Sequence, residues 1–233
     1  MNLILITSAI KEELIDLENW NEFEFSLNDE LYKILIFPIG IGKLNALYNL
    51  MYWFYNTYHK KYKKYHLKEI LFLGSCGSYN INYKENIIYS NKYMNIDFAS
   101  IINKAKILED ISKVMETTQG FFAKCIINHY KWQTGIVNST DSVTLTQISE
   151  IWIKNQFPEL KEVKENIFEN LEVYGIAKFC IQHQIAFTSF LTITNAVYEN
   201  GSIEWQKNYR KRAKNLNKKI KKYFQSILES SFS

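Results

Sequence analysis

The chain has 233 residues, 47% of them hydrophobic, and a formal charge of +4; that length sustains one large domain or two small ones, with a core that needs no covalent staples. Its cysteines, Cys76, Cys125 and Cys180, are odd in number and lack C-x-x-C spacing, which excludes a disulfide framework and a cysteine metal site in favour of reduced thiols. No run approaches the roughly 20 apolar residues of a membrane span, and the start MNLILITSAIKEEL has neither the basic opening nor the apolar length of a signal peptide, so a cytoplasmic protein without membrane association is expected.

In chain order, Asn2–Thr7 (NLILIT) is a continuous apolar run that predicts a buried strand, and Lys33–Pro38 (KILIFP) predicts a second. Lys43–Tyr58 carries Leu44, Leu47, Tyr48, Met51, Phe54 and Tyr55 at helical period. Glu69–Leu73 (EILFL) predicts a third strand, ended by Gly74-Ser75-Cys76-Gly77. Asn86–Ser90, Lys131–Asn138 and Ala186–Thr194 are further strands, and Val143–Asn155, Gly175–His183 and Ser202–Leu228 are helices. This alternation predicts a single α/β domain over residues 1–233, with a central mixed, mostly parallel sheet flanked by helices. Ligands in such folds sit beyond the carboxyl ends of the strands.

Six segments stand at those ends. Ser8–Glu13 places Glu13 on the first turn after a strand, where a carboxylate can activate water or simply complement the helix dipole. Gly40-Ile41-Gly42-Lys43 permits a close backbone approach but is not G-x-G-x-x-G, since Asn45 holds the third glycine place. Gly74–Gly77 leaves room for a sugar or planar ligand, or is an ordinary tight turn. Gly135–Asp141 includes Ser139 and Asp141; Leu171–Ala177 includes Glu172 at a helix start. Leu191–Asn195 ends a strand in an amide that can donate to and accept from a heterocycle, or cap a turn.

In order and separation these segments resemble the purine nucleoside phosphorylase/nucleosidase superfamily, closest to 5′-methylthioadenosine/S-adenosylhomocysteine nucleosidase and futalosine hydrolase. The resemblance implies a nucleoside phosphorylase-like fold and an N-glycosidase that hydrolyses a purine riboside or a 5′-modified purine nucleoside to free base and sugar. It places Glu13 on the water-activating glutamate and Asn195 on the residue facing the leaving base, as the catalytic pair. Ser75, Ser139, Asp141, Glu172, Val173 and Tyr174 fall on substrate-binding positions. Tyr174 stands where the family has a ribose-gripping glutamate, Leu191 where it has an arginine, and Asn195 where adenosine-cleaving members have an aspartate. An amide cannot protonate a departing adenine, so Asn195 is similar to what 6-oxopurine-specific relatives carry. The arginines with which phosphorylases hold phosphate have no counterpart, since Arg210 and Arg212 are the only two and both lie near the C-terminus. The resemblance further implies a homodimer with contacts over Tyr93–Ile102, and neither cofactor nor metal; the four histidines show no ligand spacing.

Alternatives stay open within the same fold: a diverged, non-catalytic nucleoside-binding protein, or a phosphorylase. The basic runs His59–Lys68 and Arg210–Lys222, the first interleaved with tyrosines, offer a nucleic-acid-binding reading. With no nucleic-acid motif beside them, solvated helix faces are expected and no nucleic-acid partner.

Overall fold

Every residue of the first strand is buried, because it runs between two parallel neighbours and has no edge or open face for water to reach. In the computed structural model, which describes residues 1–83, 86–102, 104–105 and 113–230, the strands are β1 (Asn2–Ser8), β2 (Glu24–Leu27), β3 (Glu30–Pro38), β4 (His66–Ser78), β5 (Ile87–Met94), β6 (Met115–Glu116), β7 (Gln133–Asn138), β8 (Asn166–Glu169) and β9 (Ala186–Ala196). The helices are α1 (Lys43–Trp53), α2 (His59–Lys61), α3 (Phe98–Ile101), α4 (Phe121–Tyr130), α5 (Glu150–Gln156), α6 (Val173–Gln182) and α7 (Gly201–Ser230), with 3-10 turns at Lys11–Glu13 and Ile15–Trp20. All nine strands belong to one mixed, mostly parallel sheet in an α/β fold, as expected.

β1 pairs in parallel with β3 and β4. β4 pairs with β8 on one side and β9 on the other; β8 continues to β7, β7 to β5, and β5 returns to β9. Five strands thus close on themselves, a ring that the alternation of strands and helices does not disclose. β2 also escapes the sequence pattern. It folds back on β3 through Asn28 and Asp29, at φ 49° and 63°, the left-handed pair that a two-residue hairpin requires and that Asn and Asp tolerate.

Two departures bear on the site. Gly74–Gly77 does not end β4: the strand runs on to Ser78, pairing Gly74, Ser75 and Cys76 with Leu191, Thr192 and Ile193 of β9 and then, past a register shift at Thr194, Gly77 with Asn195 and Ser78 with Ala196. The expected helix Val143–Asn155 shrinks to α5, capped by Ser149 Oγ accepting from the Trp152 N–H at 3.1 Å. The stretch before it is held in place because the Thr144 N–H and hydroxyl are both given to Glu169.

Apolar side chains fill both faces of the sheet. α1 and α6 cover one, with Ala46, Leu50, Trp53, Ile176, Ala177 and Phe179; α4 and α7 cover the other, with Phe122, Ile126, Leu216, Ile220 and Phe224. The stripe Leu44, Tyr48, Met51 and Tyr55 of the α1 region faces outward instead. Tyr58, Tyr62 and Tyr65 are buried, which removes the exposed aromatic platform that base stacking needs, while the lysines between them and those of α7 line solvent. No helix among the described residues is long and apolar enough to cross a membrane.

Candidate active site

The carboxyl ends of β1, β4, β8 and β9 border a cavity of about 280 Å³, closed on one side by the first turns of α7. Four of the expected residues line it together: Glu13, Ser75, Glu172 and Asn195.

Glu13 reaches it because β1 breaks after Ser8 into a 3-10 turn, in which the Glu13 N–H donates to Ile10 O. Asn217, fully buried on α7, pins that turn from outside by donating to Glu13 O at 2.7 Å. The carboxyl group is buried. Oε1 accepts from Ser75 Oγ at 3.1 Å, and Oε2 has no hydrogen-bond partner. Burial, and after it the Glu172 charge, push the Glu13 pKa from 4.5 up to about 8.

Glu172 stands at the start of α6 without serving it. The helix's free N–H groups are capped by other side chains: Asn170 Oδ1 accepts from Glu172 and Val173, and Ser139 Oγ accepts from Tyr174 at 3.0 Å. The Glu172 carboxylate is therefore released toward the cavity, where Oε1 accepts the Gly42 N–H at 2.9 Å. Gly42 presents that N–H from a φ of 84°, a conformation that glycine adopts without strain. Burial raises the Glu172 pKa to about 7.

Asn195 is the penultimate residue of β9, opposite Gly77. A Cβ at Gly77 would lie 3.0 Å from Asn195 Nδ2 and 2.9 Å from Val197, so the glycine lets the amide sit at the cavity wall. Asn195 Oδ1 accepts from Thr194 Oγ1, and Nδ2 donates to Ala196 O, each at 2.8 Å.

The other expected substrate-binding residues lie elsewhere. Ser139 is fully buried, its hydroxyl spent on α6. Asp141 is exposed and paired with Lys43 at 2.7 Å. Val173 and Tyr174 pack into the core beneath α1, as does Leu191, and none of the three lines the cavity. In the segment Tyr93–Ile102, Tyr93, Met94, Ile96 and Ile101 are buried within the chain, and Asp97 caps α3.

Glu169 and Trp205 are among the lining residues that the sequence reading missed. Glu169 ends β8, a strand whose four residues NIFE leave too short an apolar run to notice; its carboxylate accepts from Tyr79 and Thr144. Trp205, on the second turn of α7, donates its indole N–H to Ser75 Oγ at 2.9 Å and stacks on Tyr209. The lining thus holds three carboxylic side chains, Glu13, Glu169 and Glu172, and no Lys, Arg or His. Once its carboxyl groups ionise, such a wall stabilises positive charge developing on a ligand and repels an anionic one, and at any pH it offers an anion no cation to pair with.

No family model matches the chain, and no curated protein matches it. Solved structures share its fold over nearly the full length. A 5′-methylthioadenosine/S-adenosylhomocysteine nucleosidase from Colwellia psychrerythraea, in complex with adenine, is similar at a TM-score of 0.71 and 13% identity, over 97% of this chain and 96% of that one. One from Neisseria meningitidis, in complex with methylthio-immucillin-A, gives 0.70 and 15%, over 97% and 100%. A futalosine hydrolase mutant from Helicobacter pylori gives 0.68 and 16%, over 99% and 100%. At these identities the likeness is one of fold.

Proposed function

We propose that the chain is a nucleoside N-glycosidase that hydrolyses a purine riboside, with water as nucleophile and Glu13 as general base. The observation that carries this reading is the gathering of Glu13, Ser75, Glu172 and Asn195 around one carboxylate-lined cavity without a cation. Breaking an N-glycosidic bond builds oxocarbenium charge on the sugar, which that wall favours. A phosphate nucleophile asks for the opposite wall, so hydrolysis is preferred to phosphorolysis. Glu13 Oε2, buried and unpartnered, is the oxygen placed to take a proton from water; Glu172 meets the ribose hydroxyls, and Asn195 meets the base. The amide suits a 6-oxopurine, whose departure needs less protonation than that of adenine.

The test is free-base release from inosine, futalosine, methylthioadenosine and adenosylhomocysteine in phosphate-free buffer. Glu13→Gln should lower turnover by about 10²–10⁴-fold; undiminished turnover removes the assignment. A second reading, nucleoside binding without cleavage, is favoured by the Asn195 amide, which is already engaged by Thr194 and Ala196. Calorimetric binding with no base release would establish it. We also infer a homodimer, in which a second copy covers the exposed Leu44, Tyr48 and Tyr52 of α1, next to the cavity residue Ile41. Sedimentation equilibrium decides it, since a monomer at micromolar concentration contradicts it.

A further inference from the structure

The hydrogen bonds of the cavity run in one direction. Indole Nε1 is a donor and never an acceptor, so the 2.9 Å contact from Trp205 makes Ser75 Oγ an acceptor there. The remaining short contact of that oxygen is the one to Glu13 Oε1, at 3.1 Å. With one proton of its own to place, Ser75 donates it to Glu13. We propose that Trp205 is a positioning residue: its N–H orients the Ser75 hydroxyl, which holds Glu13 Oε1 as an acceptor and leaves Oε2 as the oxygen that exchanges the proton with water. The inference rests on the catalytic reading for its consequence, but not for its geometry.

Three features support it. The relay spans three separate elements, α7, β4 and the turn after β1, so neither contact follows from local chain geometry. Glu13 Oε2 is buried and closes no hydrogen bond of ordinary geometry, although the Ile10 and Ala9 backbone N–H groups favour the ionised carboxyl, so the atom is left open to a ligand or a proton. The indole is held over the site by stacking on Tyr209, with ring centroids 4.5 Å apart and planes 11° apart. A phenylalanine at position 205 retains the ring and loses the donor. Ser75 is then free to turn its proton elsewhere, and the ionised form of Glu13 loses a stabilising hydrogen bond. The titratable groups that line the cavity with Glu13 are Glu172, from the start of α6, Glu169, from β8, and Cys76, from β4; Glu172 is the one whose charge acts on Glu13. β4 and α7 bring the uncharged Ser75, Trp205 and Asn217.

The experiment titrates Glu13 directly in the full chain, by ¹³C NMR of glutamate-labelled protein, with its carboxyl resonance assigned by its loss in Glu13→Gln. Trp205→Phe and Ser75→Ala should each raise the Glu13 midpoint by about half a unit or more. The double variant should go no further than Ser75→Ala alone, because the tryptophan acts through the serine. An unchanged midpoint in Trp205→Phe, or shifts that add in the double variant, overturns the relay. In base-release assays the acid limb of kcat/KM should move with the NMR midpoint, lowering the rate at neutral pH by about threefold. If the midpoints move as expected while the wild-type chain releases no base, the relay stands and the nucleosidase reading falls. If the wild type turns over and Trp205→Phe shifts neither quantity, the reading stands and the relay falls.

Discussion

Glu13 and Asn195 carry opposite demands. Glu13 must be ionised to accept a proton, yet burial and Glu172 hold its pKa at about 8. Base release should therefore rise with pH across the range below about 8, following ionisation of Glu13 together with that of Glu172, at about 7; a flat profile between about pH 6 and pH 8 would contradict it. Asn195 donates hydrogen bonds but no proton. Asn195→Asp supplies a carboxyl group in the same envelope, and adenosine cleavage should rise relative to inosine cleavage by about tenfold or more. Unchanged relative rates would show that the leaving base is not met at this position.

At the scale of elements, the site depends on helix starts being satisfied by residues other than those that face the cavity. α6 is capped by Asn170 and Ser139, which frees Glu172. α4 shows the same device in a structural role: the buried Glu69 carboxylate of β4 accepts the Phe122 and Ala123 N–H groups at 3.0 and 2.9 Å. Gly120 precedes that helix, and a Cβ there would fall 2.1 Å from the Glu69 carboxyl carbon. The carboxylate can make room only by leaving the Phe122 and Ala123 N–H groups, so Gly120→Ala should cost about 1–3 kcal/mol. Thermal unfolding checks this; an unchanged Tm would mean that α4 shifts as a unit.

At the scale of the molecule, three buried carboxyl groups share one direction of shift. Burial raises Glu13 to about 8 and Glu69 and Glu172 to about 7, each from 4.5. Each binds its proton more tightly folded than unfolded. Their stabilising effect is complete below about pH 4.5 and is lost as pH rises through 7 to 8. The Tm should therefore fall by several degrees between about pH 5 and pH 8.5, and Glu13→Gln should flatten part of that fall. A Tm that rises over this range would show that these groups stay ionised in the fold.

Sequence alone determined what depends on local pattern. β1 is legible because the middle of a doubly flanked strand, Leu3–Ile6, is an unbroken apolar run, and α7 because Leu216, Ile220 and Phe224 recur on one stripe among lysines. Glu13, Ser75, Glu172 and Asn195 were legible as strand-end and helix-start residues, and the cavity brings them together. What the tertiary structure decided is the other half of each contact. Ser139 and Glu172 sit at similar places in the sequence pattern, yet one caps a helix and the other faces the cavity. The choice was made by Asn170, whose amide reaches the α6 N–H groups first. Trp205 and Glu169 join the cavity because a closed ring of strands and a long final helix carry them there over 130 and 94 residues of chain from Ser75. A hydrogen bond across such a separation leaves no period in the sequence, since its geometry is set by packing between elements and not by the chain that links them.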